Sequence, residues 1–108
     1  MSLLADYFRE RGVKEIVESE NAFATYVFIP EGCYVEDIYV SPAYRDLGLA
    51  KDMLNQITTI AKDRGCTRLF GSCVPSAIGS TESLKAAFAY GFNLFSAKEN
   101  LIVYVKEI

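Results

Sequence analysis

The residues best suited to chemistry lie close together in the segment 35–54. Two acids, Glu36 and Asp37, interrupt an apolar stretch, and a cation and a glycine, Arg45 and Gly48, follow them. A carboxylate can act as a general base, and a guanidinium offers a planar fork for phosphate oxygens. The segment therefore indicates a proton-accepting carboxylate and an anion-binding site that lie close together in the sequence.

Several other chemistries are excluded by composition. The chain of 108 residues contains no histidine, and its cysteines, Cys33, Cys66 and Cys73, form no CxxC pair. A zinc site or a histidine-activated nucleophile is therefore not expected, and no metal is predicted. Cys73 has no base beside it, so a structural role is favoured over a nucleophilic one. The net charge of -3 argues against nucleic acid or an anionic membrane as the main partner.

The whole composition is that of a folded protein with one core. Hydrophobic residues make up 51% of the chain, and no apolar run approaches the ~20 residues of a membrane span. The first residues alternate apolar and charged types, unlike a signal peptide. A single domain over residues 1–108 and a cytoplasmic location are expected.

Hydrophobic periodicity predicts three helices and six strands. The helices are expected at 2–11 and 47–64 and from Ser80, as N-cap, to a stop at Gly91; the strands are expected at 14–18, 23–29, 33–40, 67–74, 92–97 and 101–106. Hairpins join most of the strands, whereas a strand–helix–strand unit over 35–74 requires a right-handed parallel crossover. The prediction is a mixed α/β (α+β) fold with helices on the faces of a mixed sheet.

The start of the long helix is suited to an anion. Its first turn presents unpaired amides and the positive end of the helix dipole. Gly48 lets a phosphate approach the backbone, Ala50 keeps the surface small, and Arg45 adds positive charge. The glycine alone leaves a purely structural turn as an equal alternative.

The complete run IYVSPAYRDLGLA, residues 38–50, resembles the signature of the GNAT acyltransferase family, in which Arg or Gln, two residues, Gly, one residue, and Gly or Ala follow a strand. From about Phe23 to the C-terminus the order of elements is similar to that family as well. The resemblance implies an acyl-CoA-dependent N-acyltransferase that uses acetyl-CoA as co-substrate. An amine would attack the thioester directly, without a covalent enzyme intermediate.

The resemblance also implies a set of co-substrate-binding residues. Backbone groups of Ile38, Tyr39 and Val40 would pair with the pantetheine arm, and a donor near Ile38 would stabilise the oxyanion. The pyrophosphate would contact mainly the amides of Arg45, Asp46, Leu47, Gly48, Leu49, Ala50 and Lys51. Ser80 is either a further contact to the arm or a plain N-cap.

The base is expected to be one of the two acids. Strand alternation would send Glu36 and Asp37 to opposite faces, so that one faces the cleft. Glu36 is favoured because the family often has an acid near this place. The alternative is that both are structural, at a bulge or sheet end, and paired with lysine or arginine.

Three features depart from the family. Ser80 and Ala87 stand where the family often has asparagine and the tyrosine that protonates the leaving thiolate, and Tyr90 is displaced by nearly one turn. The front of the chain is also short, which leaves the acceptor side open for a small-molecule, peptide or protein amine, or completed by a second subunit in a homodimer. The rival hypothesis is a catalytically degenerate module that binds CoA or a protein partner.

Overall fold

A computed structural model describes residues 2–108, which contain three α-helices and six strands. Their bounds in chain order are α1 Leu3–Arg11, β1 Glu15–Glu18, β2 Ala22–Ile29, β3 Gly32–Val40, α2 Leu49–Asp63, β4 Arg68–Cys73, α3 Ser80–Tyr90, β5 Asn93–Lys98 and β6 Leu101–Glu107. The predicted order is confirmed, with boundaries within two residues. None of these helices is long and apolar enough to cross a membrane.

The strands form one sheet in the order β1-β2-β3-β4-β6-β5. Neighbouring strands are antiparallel except β3 and β4, which are parallel. The mixed sheet predicted from the sequence is therefore confirmed. The parallel pair is joined by α2, because parallel strands need a crossover rather than a hairpin.

The core lies between the sheet and the apolar stripe of α2. Met53, Ile57 and Ala61, spaced by four residues, are buried. They pack in one cluster with sheet residues that include Ala24 and Leu69. Full burial of a side chain such as Ile57 is worth about 1.5–3 kcal/mol, so this stripe fixes α2 across the sheet.

The start of α3 differs from the prediction. Gly79, not Ser80, is the N-cap residue, with φ 81°, and no side chain caps the helix. The Ser80 hydroxyl instead donates to the carbonyl of Pro75 at 2.8 Å. A glycine turns the chain into the helix without a side-chain acceptor, because it adopts the left-handed conformation at little cost. The predicted end of the helix at Gly91 is confirmed.

Candidate functional site

The site is built around the place where β3 and β4 separate. The two strands pair at only two positions, Cys33 with Leu69 and Tyr34 with Phe70. Beyond Tyr34, β3 continues to pair with β2 as far as Val40. The other edge of β3 is therefore free of a strand partner over residues 35–40 within the described chain. Free backbone donors and acceptors at such an edge can bind an extended ligand as an added strand.

The free edge leads directly to the start of α2. A short 3-10 turn, Pro42–Tyr44, follows β3, and the chain enters α2 through Asp46 with φ 63° and Gly48 with φ 82°. The first intrahelical hydrogen bond runs from the amide of Asp52 to the carbonyl of Gly48 at 3.0 Å, and no side chain caps the helix. The amides of the first turn are thus without a side-chain cap, and their use by an anion stays a prediction.

Positive charge is fixed beside these amides. The Nε atom of Arg45 donates to the carbonyl of Val40 at 3.0 Å, and its guanidinium lies 5.8 Å from the ring centroid of Tyr39. Apart from Gly48 itself and its adjoining backbone, no atom of the described residues lies within 4 Å of the position where Gly48 would carry a Cβ, so the space above the amides is open. An anionic group of the size of a phosphate fits this corner chemically, although the Asp46 carboxylate opposes it.

A bulge interrupts the strand alternation on which the prediction for the two acids rests. Thr25 pairs with Asp37 but its neighbour Tyr26 pairs with Val35, so β3 contains one extra residue, Glu36. Paired residues share a face, and Val35 and Asp37 therefore lie on opposite faces although they are two positions apart. A β-bulge breaks the period of two, and periodicity alone cannot locate it.

Both acids have partners in the structure. Glu36 forms an ion pair with Lys14 at 3.3 Å, and Asp37 accepts a hydrogen bond from the Thr25 hydroxyl at 3.5 Å. Both acids are exposed at the surface. The features of the structural alternative, a bulge and a lysine partner, are present at Glu36. A general base would also be exposed and lie beside the free edge of β3. The assignment of Glu36 or Asp37 as the base therefore stays a prediction.

The opposite wall of the cleft is formed by β4 and α3. Ala87 is only 7% exposed and belongs to the core cluster. The hydroxyl of Tyr90 donates to Asn55 Oδ1 at 2.6 Å, which ties α3 to α2. These contacts support the packing role that the sequence predicts for Tyr90. Cys73 is partly buried at the end of β4.

Three hydroxyl-bearing residues were missed by the sequence reasoning. Tyr34 on β3 contacts the hydroxyl of Ser72 on β4, and the hydroxyl of Tyr104 on β6 donates to the carbonyl of Ser72 at 3.2 Å. Burial, with smaller effects of Cys73 and Tyr34, raises the pKa of Tyr104 to about 12. The one signal in the sequence was Gly71: a Cβ there would lie 2.8 Å from the Tyr104 ring.

The comparisons with known proteins agree with this geometry. The acetyltransferase (GNAT) family model matches residues 21–90. The chain belongs to the GNAT acetyltransferase family. A segment of 36 residues is 42% identical to thialysine N-epsilon-acetyltransferase of Bos taurus, and this match covers 33% of the chain and 21% of that protein. The chain thus matches only about a fifth of the length of that curated relative.

Solved structures show the same fold at low identity. PaiA N-acetyltransferase from Thermoplasma acidophilum in complex with coenzyme A has a TM-score of 0.79 at 13% identity, with 98% of this chain and 69% of that chain covered. A GNAT family acetyltransferase from Elizabethkingia anophelis with acetyl-CoA bound has a TM-score of 0.73 at 18% identity, with 98% and 87% covered. The predicted GNAT-type fold is therefore confirmed.

Proposed function

We propose that residues 1–108 form a single acyl-CoA-dependent N-acyltransferase domain that transfers acetyl from acetyl-CoA to an amine. The observation that carries the proposal is the free edge of β3, which leads through the short turn Pro42–Tyr44 to the uncapped start of α2. The strand edge can bind an extended portion of a ligand, and the adjacent helix start can bind an anionic portion of the same ligand. Acyl-CoA has both portions in that order, an amide-containing arm and a pyrophosphate.

The co-substrate would be held by residues on both sides of the cleft. Backbone groups of Ile38, Tyr39 and Val40 would pair with the arm. The pyrophosphate would contact the segment Arg45, Asp46, Leu47, Gly48, Leu49, Ala50 and Lys51, where backbone amides and two cations outweigh the Asp46 carboxylate. Ser80 would contact the arm from the other wall through its hydroxyl oxygen, since its proton is donated to Pro75.

The chemistry would be direct attack by the amine. The amine nitrogen forms a bond to the thioester carbon while the C–S bond breaks, and the electron pair goes to sulfur. Glu36 would take the proton of the amine, with Asp37 as the alternative base. The backbone near Ile38 would donate to the oxyanion. Water exclusion is limited here because both acids are exposed, so the base exchanges protons readily with solvent.

The acceptor is proposed to be a small-molecule, peptide or protein amine. On the sheet face that Asp37 shares with Thr25, Tyr39 is 47% exposed. The name of the Bos taurus relative points to a primary amine on a flexible side chain. Such an amine is cationic in water, and two exposed acids at the bulge favour its approach electrostatically. A partner subunit of a homodimer would be a second way to complete this side.

A binding module without catalysis is the second candidate function. Two observations favour it: Ala87 offers no proton to a leaving thiolate, and Glu36 is ion-paired with Lys14. In that case the CoA site would be retained and turnover would be absent.

Two measurements on the same preparation test the proposal. Isothermal titration calorimetry with CoA should give saturable binding, and a panel of amines with acetyl-CoA should release free thiol. Absence of CoA binding to the folded protein would overturn both candidate functions. CoA binding with no thiol release from any amine, peptides included, would favour the binding module. Gln56→Ala, a change at an exposed position of α2, serves as a preparation control for both assays.

A further inference from the structure

Hydroxyl groups converge at the apex of the cleft. Tyr34 belongs to the last residue pair between β3 and β4, and its phenol contacts the Ser72 hydroxyl across the two strands. The Tyr104 hydroxyl donates to the main-chain carbonyl of the same serine at 3.2 Å. Ser72 is thus held by its backbone from β6 and contacted through its side chain from β3.

The two side-chain hydroxyls retain one proton. Tyr34 and Ser72 each carry one O–H, and their mutual contact uses one of the two. Over residues 2–108, neither hydroxyl has another hydrogen-bond partner. The second proton is therefore available to an acceptor in the cleft. Tyr104 differs, because its single proton is spent on the Ser72 carbonyl.

The strand register brings this pair to the level of the reacting end. Tyr34 and Phe70 form the last parallel pair before β3 and β4 separate, so Ser72, two residues further along β4, lies where the cleft begins, near the bulge at Glu36. A ligand arm that starts at the Gly48 turn and follows β3 past Val40 and Ile38 reaches Glu36 last. Its sulfur end therefore arrives beside Ser72.

We propose that the Tyr34–Ser72 hydroxyl pair donates the proton that the CoA thiolate accepts when it leaves. The inference rests on the proposed function and supplies the group that Ala87 cannot. As the N–C bond forms and the C–S bond breaks, the sulfur receives the electron pair and then the free O–H proton of the pair. Water returns that proton, and the amine proton leaves through the acid at the bulge. The phenol is the stronger acid of the pair, so Tyr34 supplies the proton directly or through Ser72.

Tyr104 is a positioning residue in this arrangement. Its ring fits over Gly71 because that residue has no side chain, and its hydroxyl fixes the Ser72 backbone. Burial raises the pKa of Tyr104 to about 12, so the hydroxyl stays a donor at every pH at which the protein would work.

The pH dependence of CoA binding tests the donor without requiring turnover. A hydrogen bond to the thiolate lowers the pKa of the bound thiol, so CoA affinity should rise between pH 7 and 9.5, through the thiol pKa of ~8.5. Desulfo-CoA, which lacks the sulfur, corrects for every other titrating group. We expect the ratio of CoA affinity to desulfo-CoA affinity to rise about tenfold between pH 7 and 9.5 in the native protein. Tyr34→Phe and Ser72→Ala each leave one O–H of the pair and should reduce the rise only in part. The double variant should reduce it to less than about threefold, and the exposed Tyr7→Phe on α1 should leave it unchanged.

The possible results separate failure of the proposed function from failure of the proposed proton donor. A folded protein that binds neither compound overturns the proposed function, and the donor with it. Binding of both compounds with a ratio that does not change with pH overturns the donor alone. A rise that survives both substitutions, or that only Tyr104→Phe abolishes, also overturns the pair as donor. Because Ser72→Ala and Tyr34→Phe change different strands, one single variant keeps the test valid if the other folds poorly.

Discussion

The two walls of the cleft repeat one backbone arrangement with different side chains. On one wall β3 is followed by the loop 41–48 and α2, and on the other β4 is followed by the loop 74–79 and α3. Both helices start after a glycine, Gly48 with φ 82° and Gly79 with φ 81°, and neither has a side-chain cap. Both starts therefore leave amides available for an anion.

The loops make the difference between the walls. The loop before α2 carries Arg45, bonded to the end of β3. The loop before α3 is closed on itself and on the last hairpin: Ser80 donates to Pro75, and the Asn100 amide donates to the Ser76 hydroxyl at 2.6 Å. An uncapped helix start is thus not sufficient for an anion site. The cation beside it and the free strand edge that leads to it distinguish the α2 wall.

The largest expected effect comes from the two matched glycines. Valine at φ near 82° is strained by about 1–2 kcal/mol, so Gly48→Val and Gly79→Val should lose similar stability. This is more than the few tenths expected from helix propensity alone. Only Gly48→Val should also block the phosphate, with a loss of CoA affinity of about 10²–10⁴-fold, since two charge-assisted hydrogen bonds are removed. Calorimetry with CoA and thermal unfolding of both variants measure the two effects. Equal losses of CoA affinity would mean that the walls do not differ in phosphate binding.

The next effect concerns the bulge on the β3 wall. Glu36→Gln should lower turnover by roughly 10²-fold or more, with a smaller loss at high pH, where the amine is already neutral. CoA affinity should barely change, because the α2 start is elsewhere. The steady-state rate from pH 7 to 10 is the measurement.

Two control variants distinguish a role of Glu36 as general base from a purely structural role in the ion pair with Lys14. Lys14→Ala breaks the same ion pair, and a partly exposed pair of this kind is worth only about 1 kcal/mol, so turnover should be nearly retained. Equal losses in Lys14→Ala and Glu36→Gln would instead support a structural role. If Asp37→Asn alone shows the large, pH-dependent loss, Asp37 is the base.

A smaller effect is expected on the α3 side of the β4 wall. Ala87 is buried in the core, so Ala87→Tyr should overpack it and cost about 1–3 kcal/mol of unfolding free energy. Turnover should not rise, because the new ring has no open cleft before it. Ala86→Tyr, at an exposed neighbour on the same helix, should change stability by less than about 0.5 kcal/mol. Denaturant unfolding and turnover of both variants check this; a stable Ala87→Tyr protein with a raised rate would place the ring in the cleft.

The sequence predicted what is encoded in local patterns. The amphipathic stripe of α2 and the turn residues located the elements, and the signature around Gly48 located the anion corner. The bulge at Glu36 could be given only as an alternative, because an extra residue in one strand is visible only in its pairing with β2. The Tyr34–Ser72 pair was missed because it joins residues 38 positions apart. Both the bulge and the hydroxyl pair depend on how distant strands pair, and no short stretch of sequence contains that information.

The smallest expected effect is at Ser80, the one residue proposed to bind CoA from the α3 start. Its hydroxyl proton is committed to Pro75, so it can only accept a hydrogen bond from the arm. A neutral hydrogen bond of this kind is worth about 0.5–1.5 kcal/mol, and Ser80→Ala should therefore weaken CoA binding by about three- to tenfold. Loss of the bond to Pro75 should reduce stability by a similar small amount. Ser83→Ala, one turn further along the exposed face of α3, is the matched control and should change neither quantity. If calorimetry shows the same CoA affinity for Ser80→Ala and Ser83→Ala, Ser80 serves only the loop. All co-substrate contacts would then lie on the β3 and α2 wall, and the β4 wall would contribute only the chemistry at its apex.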